Sequence, residues 1–214
     1  MSDRLSVTRE SYDRLAEAYV EHVAGELAGK PLDRHLLNRF AEEVRGRGRT
    51  ADLGCGPGHV AKYLSEAGAE VFGIDFSPAM VREARSLHPG IEFRVGDMRA
   101  LDLADGELAG ILAFYSLIHF DDRELVTVVA EMHRVLRPGG VLLAAFHVGE
   151  ETLHVEELWG TPVGLDFRFF PSGRVALRLE KAGFDVTERI EREPYPDVEY
   201  PSRRCYLFAR RRPE

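Results

Sequence analysis

The chain is short of cysteine, with only Cys55 and Cys205 in 214 residues, far apart in sequence. Two cysteines make no disulfide framework, so a reducing, cytoplasmic setting is expected. No stretch approaches the roughly 20 apolar residues that a membrane span requires. Met1-Ser2-Asp3-Arg4 opens no apolar run of the signal-peptide type. Positive charge is not in excess: 28 Lys and Arg face 36 Asp and Glu, for a formal net charge of -8. That balance argues against a general nucleic-acid surface. Arg203, Arg204, Arg210, Arg211 and Arg212 form a basic end, but no aromatics interleave them, and they read as an offset to the acidic body. Repeats and low-complexity segments are missing. So is any cluster of histidine, cysteine and carboxylate with metal-ligand spacing, and no metal is expected.

What remains is a chain with 44% hydrophobic residues, enough for a core and suited to a single domain. Two helices lead. Tyr12, Leu15, Tyr19 and Val23 recur at helical spacing within Thr8 to Leu27, and Leu36, Leu37 and Phe40 within Leu32 to Val44. Strand and helix then alternate. Strands are expected at Thr50 to Leu53, Glu70 to Ile74, Ile91 to Val95, Leu108 to Tyr115 and Val141 to Phe146. Helices are expected at His59 to Ala67, Ser77 to Leu87 and Asp121 to Leu136, the last closed by Pro138-Gly139-Gly140. This rhythm implies an α/β fold around a parallel sheet with right-handed crossovers. It loosens between Gly149 and Pro171, then resumes with a helix from Ser172 to Ala182 and strands at Phe184 to Glu191 and Cys205 to Arg210.

The chain is organised around Asp52-Leu53-Gly54-Cys55-Gly56-Pro57-Gly58-His59, where the first strand turns into a helix. Gly54, Gly56 and Gly58 permit positive φ and close approach of a ligand to the backbone. The amides that follow sit at a helix N-terminus, which favours a negative group. In an open α/β sheet, ligands lie beyond the carboxyl ends of the strands. Asp52, Asp75 and Asp97 stand at three such ends. Asp75 lies 21 residues after Gly54, near the spacing expected of a ribose-binding carboxylate. Capping of the helix at Ser77 is the plainer role for Asp75. Gly96-Asp97-Met98 fits an adenine clamp, with Asp97 accepting from the amine and Met98 against the ring. The dinucleotide fingerprint is broken, because His59 stands where its third glycine belongs.

Asp52 to Gly58, Ile74-Asp75-Phe76-Ser77, Gly96-Asp97-Met98, Leu108 to Phe120 and Leu136-Arg137-Pro138-Gly139-Gly140 occur in that order over residues 50 to 147. Together they resemble the motif series of class I S-adenosylmethionine-dependent methyltransferases. The resemblance implies a Rossmann-like three-layer αβα sandwich with a seven-stranded, mostly parallel sheet and an antiparallel last strand. It also implies S-adenosylmethionine as cofactor, S-adenosylhomocysteine as its product, and a small-molecule methyl acceptor. The cofactor residues it implies are Tyr12, Tyr19, Asp52, Gly54, Cys55, Gly56, Gly58, Asp75, Phe76, Met80, Asp97, Met98, Phe114 and Tyr115. Its rivals are a module that binds the cofactor without catalysis and a nicotinamide-dependent dehydrogenase.

Methyl transfer from a sulfonium mainly requires alignment, and a base only where the acceptor must lose a proton. His119, after the fourth strand, is the candidate base or orienting group; a hydrogen-bonded histidine packed beneath the cofactor is the alternative. Residues 149–171 hold Trp159, Phe167, Phe169 and Phe170, expected with His119 to wall the acceptor pocket. His147 and His154 are further candidates between which the sequence does not choose. The expected division is a helical lid over 1–48, a cofactor core over 49–148, an acceptor-pocket insertion over 149–171 and a C-terminal helix with strands over 172–214. The chain is expected as a monomer or homodimer.

Overall fold

The structure is a computed structural model that describes residues 2–213, with only the backbone of Ser2 and Asp3. Helix α1 runs Ser2–Val23 and, after a 3₁₀ turn at Glu26–Gly29, α2 runs Pro31–Val44. The apolar run expected to reach Leu27 therefore breaks at Val23. The α/β rhythm follows: β1 (Thr50–Leu53), α3 (His59–Glu66), β2 (Val71–Asp75), α4 (Pro78–Leu87), β3 (Glu92–Val95), β4 (Leu108–Phe114), α5 (Asp122–Val135) and β5 (Leu136–His147). The remaining elements are β6 (Thr152–Leu158), β7 (Thr161–Arg168), α6 (Ser172–Lys181), β8 (Phe184–Arg192) and β9 (Arg204–Arg211).

Seven strands form one sheet in the order β3-β2-β1-β4-β5-β9-β8. β1 to β5 are parallel, while β9 runs antiparallel to both β5 and β8. Alternating side chains feed two cores. Ile111, Ala113, Leu142, Ala144 and Phe146 join Leu125, Val128 and Met132 of α5 and Val175 and Leu179 of α6. Leu112, Phe114, Leu143 and Ala145 join Leu37 and Phe40 of α2 and Val60 and Leu64 of α3. Helices on both faces explain why β4 is buried at every position. Each fully buried Leu or Phe stabilises this arrangement by roughly 1.5–3 kcal/mol.

Helix α5 starts in a capping box: Asp121 accepts from the amides of Arg123 and Glu124, and Glu124 accepts from the Asp121 amide. It ends one residue earlier than expected, and Leu136 to Gly140 belong to β5 rather than to a turn before it.

The larger departure is at 149–171, expected to be irregular. It holds the hairpin β6–β7, a separate two-stranded sheet. Leu158 pairs with Thr161, so Trp159-Gly160 is a two-residue turn, with φ of 50° and 75°. Such turns need positive φ at both positions and favour Asn or Gly. Tryptophan in the first position hides the signal, and the register shift between Val155 and Glu157 breaks the alternation. The hairpin packs Val163 and Leu165 on Leu15 of α1. α1 also lies on α4, where Ala16 meets Ala79 and Met80.

Candidate active site

The glycine turn is built from its backbone outward. Gly54, Gly56 and Gly58 have φ of 73°, 52° and 82°, a region L side chains rarely adopt. A Cβ on Gly54 would collide with Ser116, and one on Gly58 with the Phe93 ring. A Cβ on Gly56 would meet only Tyr19, at 3.8 Å. Gly56 is thus the glycine that opens toward the cavity, while Gly58 faces packed side chains and does not line it. Ser116, just after β4, ties this turn down by donating to the Leu53 carbonyl at 2.6 Å.

Asp75 holds the turn from the side. One carboxylate oxygen accepts from the Gly56 amide at 2.8 Å and the other from the Ser77 amide at 2.9 Å. The capping and ligand roles are therefore compatible, since each oxygen keeps a second lone pair. Burial pushes Asp75 up to about 6; the Ser77 and Gly56 amides oppose this, and Asp13 reinforces it. Asp13 of α1 accepts from Ser77 Oγ at 2.6 Å and from the Ala79 amide at 3.0 Å. A residue on the first helix thus caps α4, which local spacing does not reveal.

Asp52 is buried, and its Oδ2 has no hydrogen-bond partner among the described residues. Burial first, then the charge of Asp75, raises it to about 7, against the Ala61 amide. An unsatisfied carboxylate oxygen facing a cavity fits a cationic group such as an ammonium. Asp97 follows β3; burial raises its carboxyl, but the Arg99 ion pair at 2.6 Å outweighs this and holds it low.

One cavity of about 780 Å³ joins these groups. Tyr12, Tyr19, Asp52, Gly54, Cys55, Gly56, Asp75, Phe76, Met80, Asp97, Met98, Phe114, Tyr115, His119, Trp159 and Phe167 all line it. His119 Nε2 lies 2.8 Å from the Tyr12 hydroxyl and Nδ1 3.2 Å from the Asp166 carbonyl. The carbonyl only accepts, so Nδ1 carries the proton and Nε2 accepts from Tyr12. Burial, assisted by Arg4 and opposed by the Asp166 carbonyl, lowers His119 to about 4. It is a neutral, fully engaged imidazole at neutral pH. Trp159 at the hairpin tip stacks on His22 at 4.3 Å and meets Tyr19 edge-on at 5.5 Å. Phe167 lies 5.4 Å from the His119 ring.

Two expected pocket residues fall elsewhere. Phe169 stacks behind His147 at 5.0 Å and does not line the cavity. Phe170 is buried in the core against Phe146, 6.1 Å away. The two amides donate in opposite directions, Phe169 to the Glu151 carbonyl and Phe170 to the His147 carbonyl, and the rings part accordingly. His154 is exposed, 2.8 Å from Asp166 Oδ1.

Several lining residues escaped the sequence reading. Lys30, Glu26 and His59 reach the cavity from the α2 side, and Asp197, Val198, Glu199 and Tyr200 from the β8–β9 connection. Arg204 lines it from the start of β9, beside His147 at the end of β5, one of the two further candidates named from the sequence. The Tyr195-Pro196 and Tyr200-Pro201 pairs marked a connection without showing where it folds. His59, the break in the dinucleotide pattern, lies 3.0 Å from Glu26 Oε1. The basic end does not form a patch: Arg204 and Arg211 are buried, while Arg203, Arg210 and Arg212 pair with Glu191, Glu43 and Asp185. Among the described residues, no group of three or more His, Cys, Asp or Glu side chains is placed to hold a metal ion, and no helix is long and apolar enough to cross a membrane.

A seven-stranded sheet with this order, a glycine turn after β1 and acidic residues beyond β1 to β3 define a Rossmann-like cofactor-binding domain. Comparison with known proteins narrows this: residues 51–140 match the model of a methyltransferase domain, and the chain is similar to S-adenosylmethionine-dependent methyltransferases. It is 29% identical over 165 residues to a probable S-adenosylmethionine-dependent methyltransferase of Mycolicibacterium smegmatis, covering 72% of this chain and 58% of that protein. It is 33% identical over 132 residues to a malonyl-[acyl-carrier protein] O-methyltransferase of Pseudescherichia vulneris, covering 62% of this chain and 50% of that one. The chain thus spans little more than half the length of these curated relatives. Among solved structures, the Burkholderia thailandensis 1,6-didemethyltoxoflavin-N1-methyltransferase, with bound 1,6-didemethyltoxoflavin and S-adenosylhomocysteine, superposes with a TM-score of 0.75 at 18% identity, covering 99% of this chain and 90% of that one. That likeness is one of fold.

Proposed function

We infer that this protein is an S-adenosylmethionine-dependent methyltransferase whose acceptor is a small molecule. The observation that carries the reading is the unsatisfied Asp52 oxygen, which faces the same cavity as the glycine turn, Asp75 and Asp97. Asp52 would take the amino acid ammonium, Asp75 the ribose hydroxyls, and Asp97 with Met98 the adenine. Gly54, Cys55 and Gly56 offer backbone, with Gly58 supporting the turn from behind. Tyr12, Tyr19, Phe76, Met80, Phe114 and Tyr115 close the walls. When bound, S-adenosylmethionine supplies an electrophilic methyl group on a sulfonium, so the chain's task is alignment and exclusion of water.

His119 then acts as an orienting group rather than a base, because both ring nitrogens are engaged and its pKa is low. Residues 1–48 serve as the lid, 49–148 as the cofactor core, 149–171 as the hairpin wall carrying Trp159 and Phe167, and 172–214 as the closing helix and strands. The acceptor being small is supported by the cavity's walls and by the name of the 1,6-didemethyltoxoflavin-N1-methyltransferase; the malonyl-[acyl-carrier protein] O-methyltransferase is named for a malonyl group borne on a carrier protein. A cytoplasmic setting is supported by two free, buried cysteines.

Calorimetry with S-adenosylhomocysteine, S-adenosylmethionine and NAD tests the cofactor. Binding of the first two alone, followed by release of S-adenosylhomocysteine on adding acceptor pools, is the expected result. Preference for NAD would return the chain to the dehydrogenase class, and binding without turnover to the non-catalytic one.

A further inference from the structure

The strand order makes the carboxyl edge of the sheet a ruler, with strands about 4.8 Å apart. Asp97, Asp75 and the glycine turn follow β3, β2 and β1, which form one half of the edge. The other half is β4, β5 and β9. There the cavity is lined by Tyr115 just after β4, His147 at the end of β5 and Arg204 at the start of antiparallel β9. His147 and Arg204 are direct cross-strand partners. Tyr115 has φ of 57°, and strained non-glycine residues of this kind concentrate at functional sites.

Arg204 is 3% exposed and yet lines the cavity. Its Nη1 donates to the Tyr200 carbonyl at 2.8 Å, to the Ser202 carbonyl and to Ser202 Oγ at 3.3 Å. Its Nε lies 3.2 Å from Glu199 Oε1 but makes no hydrogen bond. Among the described residues, Nη2 has no hydrogen-bond partner either. Charge is balanced around it: Asp33 faces Arg192, Glu26 faces Lys30, and Glu199 offsets the third cation. What the guanidinium lacks is therefore acceptors, not counter-charge. A buried donor without a partner is costly, and a ligand oxygen relieves it.

His147 completes the geometry. Its Nδ1 lies 2.7 Å from Ser202 Oγ. Ser202 Oγ can accept from Arg204 and still donate to Nδ1, and in that tautomer the imidazole proton sits on Nε2. Nε2 has no hydrogen-bond partner among the described residues and stands ready as a donor. Burial and the neighbouring Arg204 lower this histidine to about 4, so it donates as a neutral ring.

We propose that Arg204 and His147 form the subsite that holds a carboxylate of the methyl acceptor, over β4, β5 and β9. A planar guanidinium matches a carboxylate's paired oxygens, and the His147 donor adds a third bond. The surrounding charges already balance, so a carboxylate, bringing one negative charge to the unpartnered donors, unbalances the cluster less than a phosphate dianion would. The assignment rests on the methyl-transfer reading above.

The test is calorimetry on the full chain saturated with S-adenosylhomocysteine, followed in parallel by fluorescence of its single tryptophan, Trp159. The probes are benzoate and octanoate as free acids, malonyl pantetheine as a thioester-borne acid, and the matched amide of each. We expect at least one acid to bind, with its amide at least tenfold weaker; the free-acid and thioester arms then separate the two sources. Arg204→Lys keeps a cation but loses the fork, and should weaken that acid tenfold or more while leaving S-adenosylhomocysteine affinity unchanged. His147→Leu should weaken it several-fold, and His147→Gln, which retains a donor, should recover part of the loss; these variants decide the matter if Arg204→Lys does not fold. Equal binding of acid and amide, binding of no acid, or wild-type affinity in His147→Leu overturns the proposal. Failure of S-adenosylhomocysteine itself to bind removes the underlying reading and the subsite with it.

Discussion

Replacing Asp52 with asparagine gives the sharpest test of the cofactor site. The wild-type carboxyl sits at about 7, raised by burial and then by Asp75. At pH 7 about half of the molecules therefore hold a proton there, rising to about nine-tenths at pH 6 and falling to about one-tenth at pH 8. An ammonium seated on Oδ2 favours the ionised form and expels that proton. Binding of S-adenosylhomocysteine should then release about half a proton at pH 7 and bind about tenfold more weakly at pH 6 than at pH 8. Calorimetry in phosphate and in Tris, whose ionisation enthalpies differ, reads the proton count directly. Asp52→Asn should bind weakly, with the proton release and the slope both reduced. Stability moves the other way. A folded pKa above the unfolded one means that stability from this group is fully present below about pH 4 and is lost as pH rises through 7. Without ligand, the Asp52→Asn variant should thus melt higher than wild type at pH 8, by up to roughly 4 kcal/mol, and the gap should shrink toward pH 5. If wild type releases no proton at pH 7, or the variant keeps the wild-type slope, Asp52 does not meet the ligand's cation.

Asp75→Ala should weaken S-adenosylhomocysteine binding by roughly 1.5–3 kcal/mol. It should also destabilise the fold by about 1–3 kcal/mol in thermal melts, because the Gly56 and Ser77 amides lose their acceptors; unchanged affinity in a folded variant removes Asp75 from the site. Gly56→Val should abolish binding in a chain that still folds, since a β-branched residue resists φ of 52° where space itself is not limiting. Turnover should show no inflection near pH 6.5 from His119, whose pKa is lowered to about 4, and His119→Ala should lower turnover equally across pH 6 to 8. Phe170→Ala should destabilise by about 3–5 kcal/mol while leaving both ligands' affinities intact, whereas Phe167→Ala should raise the acceptor's KM with little loss of stability.

What the sequence by itself determined is the part of the molecule governed by local rules. Periodicity set β1 to β5 and α3 to α5, because burial on both faces writes a continuous apolar run and burial on one face writes a helical stripe. The octamer around Gly56 and the aspartates after β1 to β3 were legible because turn geometry and strand-end chemistry are fixed within a few residues. Only the tertiary structure decided the rest. The hairpin at 152–168 draws its stability from Leu15 of α1, far away in sequence, so its own pattern is faint. Phe169 and Phe170 are equal in a sequence, and backbone bonds to Glu151 and His147 set one ring against His147 and the other in the core. Asp13 of α1 caps α4, a helix more than 60 residues further along the chain. Lys30, His147, Glu199 and Arg204 meet because β9 inserts between β5 and β8, a pairing set by non-local packing that no local spacing encodes.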